Sequence, residues 1–514
     1  MNIINVGDPK TITLTSGQSI SATTTGNLLV ECVSGLGLTA GSTIATLHGS
    51  ANYGPYATDG VIRLTASVRD GAYEVSQIPQ RSASGNISAE TVDLFDPATG
   101  RFLGVIDKAG NEQLVGGPIY PLLLASITAA KGNSPLDLAV MASPPTVTVG
   151  AAAITNGQAY NYFDTDGHKR IRIKGVPFGD SSVMCENTGG YFRGVNVASS
   201  AGAFTTANNA KHYLCEVTFT GQVIQFILNG LSAALIRFRV NGALVSASAT
   251  TVGNSNVQLD FGSTVYNKTI SLEFEQAQTV KGVVVGPNDT IYPIDAPPLP
   301  IVVAGDSYVQ GTVSPTTFGA ETFCGCLRDA SGLNVLALGV ASSGYVKTGF
   351  VNMTNAQWLA KIIAATNAAN APIILIPYGT NDYGLDSSAI QAAASVVGSA
   401  LLAGTSAKVV FMGPWPQNRN NDASSLAVEA AIQAAAASLP QARVGFIPVC
   451  SGSNPWVKGQ GDNDTAPNGT SIAYGNSAIV TGNDGIHPYP GRGSEYFARK
   501  TLDALTALCA SKGW

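Results

Sequence analysis

The sequence predicts a multidomain chain: an N-terminal all-β module, a central β-sandwich of jelly-roll type, and a C-terminal α/β domain built on a parallel sheet. Three observations lead there. At 514 residues the chain is too long for one core, since domains usually run to about 100–200 residues. Charged residues make up 12%, with 45% hydrophobic residues and 57 glycines, a balance that suits strands and turns and argues against disorder. The hydrophobic pattern then changes near residue 299, from short runs cut by turn residues to continuous apolar runs separated by Ala-rich stretches.

Residues 1–115 read as short strands, Thr11 to Thr15, Leu28 to Val33, Thr43 to His48, Val61 to Val68 and Tyr73 to Gln77, followed by a hairpin turning at Ala109-Gly110-Asn111. They hold no catalytic constellation, so attachment or oligomerisation is the expected role. Residues 116–145 form a connector in which PIYPLLLASITAA can make a short helix. From 146 to 286 runs such as IRIKGVPF, VIQFILNG, LIRFRVNG and TISLEFEQ recur at sandwich spacing. Residues 287–298, rich in proline, read as a stiff linker. Residues 299–514 then alternate strands such as IVVAGD, LNVLALG and APIILIPYG with helices, the pattern of a parallel sheet covered on both faces.

Charge and cysteine content exclude several functions. With 28 Lys+Arg against 33 Asp+Glu the net charge is -5, so the basic stripe that binds nucleic acid is missing. Seven scattered cysteines make a poor disulfide framework, and the Cys324/Cys326 pair reads as structural. The N-terminus lacks a charged leader with an apolar run, and no uninterrupted apolar stretch is long enough for a membrane span. His48, His168 and His212 have no ligand-like spacing, so neither a metal nor another cofactor is expected.

In open α/β sheets ligands bind at the carboxyl ends of the strands. There stand Gly305-Asp306-Ser307 and Gly379-Thr380-Asn381-Asp382, with Asp484-Gly485-Ile486-His487 before the last helix. A serine hydroxyl needs a base to become nucleophilic, the base needs an acceptor to fix its tautomer, and a developing oxyanion needs donors set in advance. His487, Asp484 and Asn381 supply those roles for Ser307. An aspartate three residues before a histidine can share its turn. Asp306 and Asp382 read as loop braces. Trp415, Tyr308, Tyr345, Tyr378 and Trp456 could line the same edge and stack on a sugar ring.

These blocks resemble those of the SGNH, or GDSL, hydrolases, over about residues 299 to 514. The resemblance implies a serine esterase without cofactor, with Ser307, His487 and Asp484 catalytic. Its oxyanion hole would combine the Ser307 amide, the Asn381 side chain and a glycine amide. LALGVASSGYV offers Gly344 and Gly339 for the last; Gly344 is the expected donor and Gly339 the site of close backbone approach.

A sandwich joined to such a domain is similar to the second carbohydrate-esterase family, which deacetylates polysaccharides. The added all-β module, low charge and lack of a leader are similar to phage tail-spike and tail-fibre esterases, commonly trimers. The resemblance implies an acetylated capsule, O-antigen or exopolysaccharide as substrate. It also implies synthesis in a host cytoplasm, attachment to a virion tail through residues 1–115 and action at the bacterial surface. Two other readings stand beside it: a general SGNH esterase or lipase on small or lipid esters, and a structural or adhesive glycan-binding particle protein.

Overall fold

The computed structural model describes nine strands within residues 2–113, residues 119–130, and the chain from 139 to 514. Within that last span residues 165–169, 176–184, 189–190, 195–212, 230–233, 275–278, 293–298, 312–317, 348–354, 416–422, 453–454, 458–479 and 483 lie outside the description. So do the hairpin turn at Ala109-Gly110-Asn111, His168, His212 and half of the proline linker, residues 293–298; its first half instead belongs to the sandwich through the strand Thr290–Tyr292, paired with Leu214–Thr220. The chain divides into two compact units, Met1–Gly117 and Pro118–Trp514.

In the first unit a long strand, Gln18–Gly35, pairs antiparallel with Thr43–Tyr53, Gly60–Ala66 and Gly71–Gln77. A second sheet joins Thr91–Asp96, Arg101–Asp107 and Glu112–Gln113. The long strand exceeds the expected Leu28 to Val33 because its first half, QSISATTTG, is polar and gives no apolar alternation. Pairing continues through a register shift between Thr24 and Asn27, flanking a glycine that tolerates the irregularity.

The second unit opens with the helix Ile119–Ala130, in the stretch read as a connector. Leu123 is fully buried, the helix packs against the helices Phe323–Ser331 and Arg492–Lys512, and the Tyr120 amide donates to Trp514 O at 3.0 Å. The connector is therefore part of the α/β core. Its apolar residues pointed to a helix without saying which surface would cover it.

Residues 146–292 form two antiparallel seven-stranded sheets. Along Leu214–Thr220 and Ile171–Lys174 buried positions alternate with partly exposed ones, as a strand with one core face requires. Phe226 of one sheet meets Phe238 of the other with ring centroids 5.2 Å apart.

The α/β part carries five parallel strands in the spatial order Asn334–Gly339, Pro300–Gly305, Ile373–Pro377, Lys408–Met412, Val444–Ile447. In Asn334–Gly339 and Ile373–Pro377 every residue is buried, which explains their unbroken apolar character. The first strand sits between the second and third, so the chain reverses direction across the sheet there and the strand ends open a crevice. Ser387–Gly404, although long and apolar enough to cross a membrane, packs through Ile390, Ala394, Val397 and Leu401.

Candidate active site

Each loop at the carboxyl edge is shaped by close backbone contacts. A side chain at Gly305 would strike Pro377 O and Val309, and one at Gly339 would strike the backbone of Val309 and Gln310. The glycines let the first two strands and the short helix Ser307–Gln310 approach each other. Asp306 caps that helix by accepting the Tyr308 amide at 3.1 Å, and Gly311 ends it in the left-handed region at φ 91°.

The geometry brings together residues 180 apart in sequence. Ser307 Oγ lies 2.9 Å from His487 Nε2, and His487 Nδ1 lies 2.7 Å from Asp484 Oδ2. Asp484 Oδ1 accepts the Ile486 and His487 amides, each at 2.9 Å, so the carboxylate orders the turn that carries the imidazole. Partial burial works to raise the Asp484 carboxyl, but hydrogen bonds from the His487 side chain and the two amides outweigh it, and it falls below the ordinary range. An ionised Asp484 can only accept, so Nδ1 bears the proton and Nε2 is free to accept from Ser307.

The His487 loop is fixed from several sides. Gly482 donates to His487 O at 2.7 Å, and Tyr489 donates to Val480 O at 3.0 Å. Tyr308 OH donates to Ile486 O at 2.6 Å, with its ring 5.5 Å from the imidazole.

Asn381 stands on a short turn after the third strand, entered through Gly379 at φ 108°. Its Nδ2 donates to Ser343 O at 2.8 Å, leaving a second hydrogen for another acceptor. Asp382 accepts the amides of Tyr345, Val346 and Lys347 at 2.6, 3.1 and 2.8 Å, so it braces the loop after the second strand. Burial pushes its carboxyl upward against those three hydrogen bonds. Asp306 is fully buried and pushed up to about 8 by desolvation, with Oδ2 unpartnered among the described residues.

Two expectations need correction. The Gly344 amide donates to Lys347 O at 2.9 Å and is not available to a ligand; its lack of a side chain instead makes room for the Asp382 carboxylate. In the same loop Val340 donates to Gly305 O and Ala341 to Gln310 Oε1. The Ser342 and Ser343 amides have no acceptor among the described residues, and Ser342 adopts φ 61°. The amides of this loop that lack an acceptor among the described residues thus stand one or two residues before Gly344.

The aromatic residues expected at the rim are core residues. Tyr308, Tyr345 and Trp415 are each 2% exposed, Tyr378 1% and Trp456 7%. Trp415 and Trp456 pack on Phe497 at 4.5 and 5.6 Å, and Tyr345 meets Tyr378 at 4.9 Å. A large ring gains more from such burial than from solvent exposure.

Sequence reasoning missed Gln310, and also Glu429, which accepts the amides of Val449, Cys450 and Ser451 at 2.7 Å each. Neither belongs to a short motif, and no local signal marks them. Cys324 and Cys326 are buried free thiols, and burial raises both well above the ordinary range. No cluster of metal-ligating side chains occurs among the described residues.

No family model and no curated protein matches the sequence. By structure the chain is similar to "Salicylyl-Acyltransferase SsfX3 from a Tetracycline Biosynthetic Pathway". That match has 13% identity, 69% of this chain and 98% of the other covered, and a TM-score of 0.50. It is also similar to a family two carbohydrate esterase from Cellvibrio japonicus, with 13% identity, 71% and 99% covered and a TM-score of 0.49. An acetyl xylan esterase from Butyrivibrio proteoclasticus gives 11% identity, 69% and 98% covered and a TM-score of 0.47. At 13% identity the likeness to the acyltransferase speaks for the fold alone.

Proposed function

We propose that this protein is a serine esterase that removes O-acetyl groups from a bacterial surface polysaccharide. The observation that carries the reading is the relay from Ser307 Oγ to His487 Nε2 at 2.9 Å and from His487 Nδ1 to Asp484 at 2.7 Å. Ser307 Oγ attacks the acetyl carbonyl while its proton passes to His487 Nε2. The oxyanion accepts from the Ser307 amide, from Asn381 Nδ2 and from the amide of Ser342 or Ser343. As the tetrahedral adduct collapses, the sugar C–O oxygen leaves with the proton from His487. Water then repeats the cycle on the acetyl-serine, releasing acetate. Asp484 holds the imidazole in register and stabilises its charged form.

A short acyl group is the expected cargo, and the Tyr308 ring packs near His487, Trp415 and Phe497. The polysaccharide, a trimeric assembly and attachment to a virion tail through residues 1–115 are supported by sequence resemblance alone. Acetate release from O-acetylated capsule, O-antigen or exopolysaccharide, measured beside p-nitrophenyl esters of increasing chain length, tests the reading. Release should occur with the polymer and vanish in Ser307→Ala. Preference for long acyl chains would replace the deacetylase reading with a lipase.

A further inference from the structure

We infer that the β-sandwich acts in catalysis by holding the His487 loop, with Arg237 as the positioning residue; this rests on the serine-esterase reading above. Where the sandwich meets the α/β part, Arg237 joins two carboxylates, Glu273 of the sandwich and Glu321 beyond it. Arg237 Nε pairs with Glu273, whose other oxygen accepts from Arg239 Nε at 2.8 Å. Arg237 Nη1 reaches out of the sandwich to Glu321 Oε1 at 2.6 Å, and its guanidinium carbon lies 4.3 Å from the Phe318 ring centroid. The Arg237 side chain is only 8% exposed. Burial alone would lower its pKa, but Glu273 and Glu321 reverse that and hold it charged.

Glu321 belongs to the turn Gly319–Glu321, which follows the Ser307 helix in the chain. Its carbonyl accepts the Gly491 amide at 3.0 Å. Gly491 caps the last helix four residues after His487, and Cys326 Sγ reaches Gly491 O from the helix after that turn. One buried guanidinium therefore fixes the turn on which the far end of the His487 loop rests. A buried ion pair contributes little net stability compared with apolar packing, whereas its directional hydrogen bonds fix register. Arg239 pairs with the same Glu273, so its replacement removes one ion pair inside the sandwich while keeping the Arg237 to Glu321 contact, which makes it the internal control.

The test compares Arg237→Met, Arg237→Lys, Glu321→Gln and Arg239→Met in the full chain. Hydrolysis of p-nitrophenyl acetate and hydrogen exchange of the segment holding Gly491 are followed by mass spectrometry and absorbance. Arg237→Met and Glu321→Gln should lower kcat by about 10- to 100-fold with KM nearly unchanged, since small displacements of reacting groups cost that much. Both should speed exchange at Gly491. Arg237→Lys should recover part of each effect, and Arg239→Met should leave both near wild type. Should Arg237→Met not fold, Glu321→Gln carries the same comparison. Equal effects from Arg237 and Arg239 variants, or unchanged exchange at Gly491, overturn the inference. Wild-type protein without ester hydrolysis would sink the esterase reading instead, and the exchange data would still decide whether Arg237 holds the loop.

Discussion

Replacing Asn381 by alanine should remove a side-chain donor from a preset oxyanion site. One hydrogen of Nδ2 is committed to Ser343 O at 2.8 Å, which holds the amide in place and leaves the other hydrogen for an oxyanion. Because the donor is already oriented, no reorganisation is needed during reaction. Its loss should cost about 2.7–4 kcal/mol of barrier, about 100- to 1,000-fold in kcat. The effect belongs to kcat, because a neutral ester carbonyl gains little from that donor until it becomes charged. Steady-state hydrolysis of p-nitrophenyl acetate, with a thermal melt of the same sample, measures it. The Ser343 carbonyl belongs to a fully buried residue and loses a partner too, so the melt should also register a loss of about 1–3 kcal/mol. A kcat within about threefold of wild type, about 0.7 kcal/mol of barrier, would refute the assignment.

Three other outcomes follow from the same geometry. Ser307→Ala should abolish labelling by a fluorophosphonate and reduce ester hydrolysis to background while leaving the melt intact, as mass spectrometry and calorimetry would report. The folded-state carboxyl of Asp306 sits at about 8, above its ordinary value, so its own contribution to stability should be full in acid and fade as pH rises from the ordinary carboxylate range through about 8. Asp306→Asn, which mimics the neutral acid, should flatten that decline in melts across pH, and an unaltered slope would contradict the burial argument. Trp415→Ala should destabilise by about 3–5 kcal/mol, as for other buried aromatic truncations. Trp415→Phe should keep KM for an acetylated polymer near wild type; a large rise in KM would restore Trp415 to substrate contact.

The serine, histidine and aspartate were legible because each stands in a short block whose chemistry is local. The Asp484 and His487 spacing already implied one shared turn. The five parallel strands were legible for a related reason: strands buried on both faces are continuously apolar. The Gly344 amide misled because a glycine can be required for what occupies its missing side chain, here Asp382, and not only for a free N–H. The aromatic residues misled because Tyr308 and Trp415 stand near strand ends in the chain, where a sugar ring could stack, while their rings complete the packing around Phe497. The Arg237 to Glu321 contact joins positions 84 apart in chains of different strand grammar, and only the tertiary fold reveals it.

The helix Ile119–Ala130 has a practical corollary for anyone dissecting the polypeptide. A shortened enzyme starting at residue 299 would keep every reacting group and still leave bare the greasy seat that Leu123 occupies, inviting aggregation. The natural place to cut is ahead of Pro118, where the two units part.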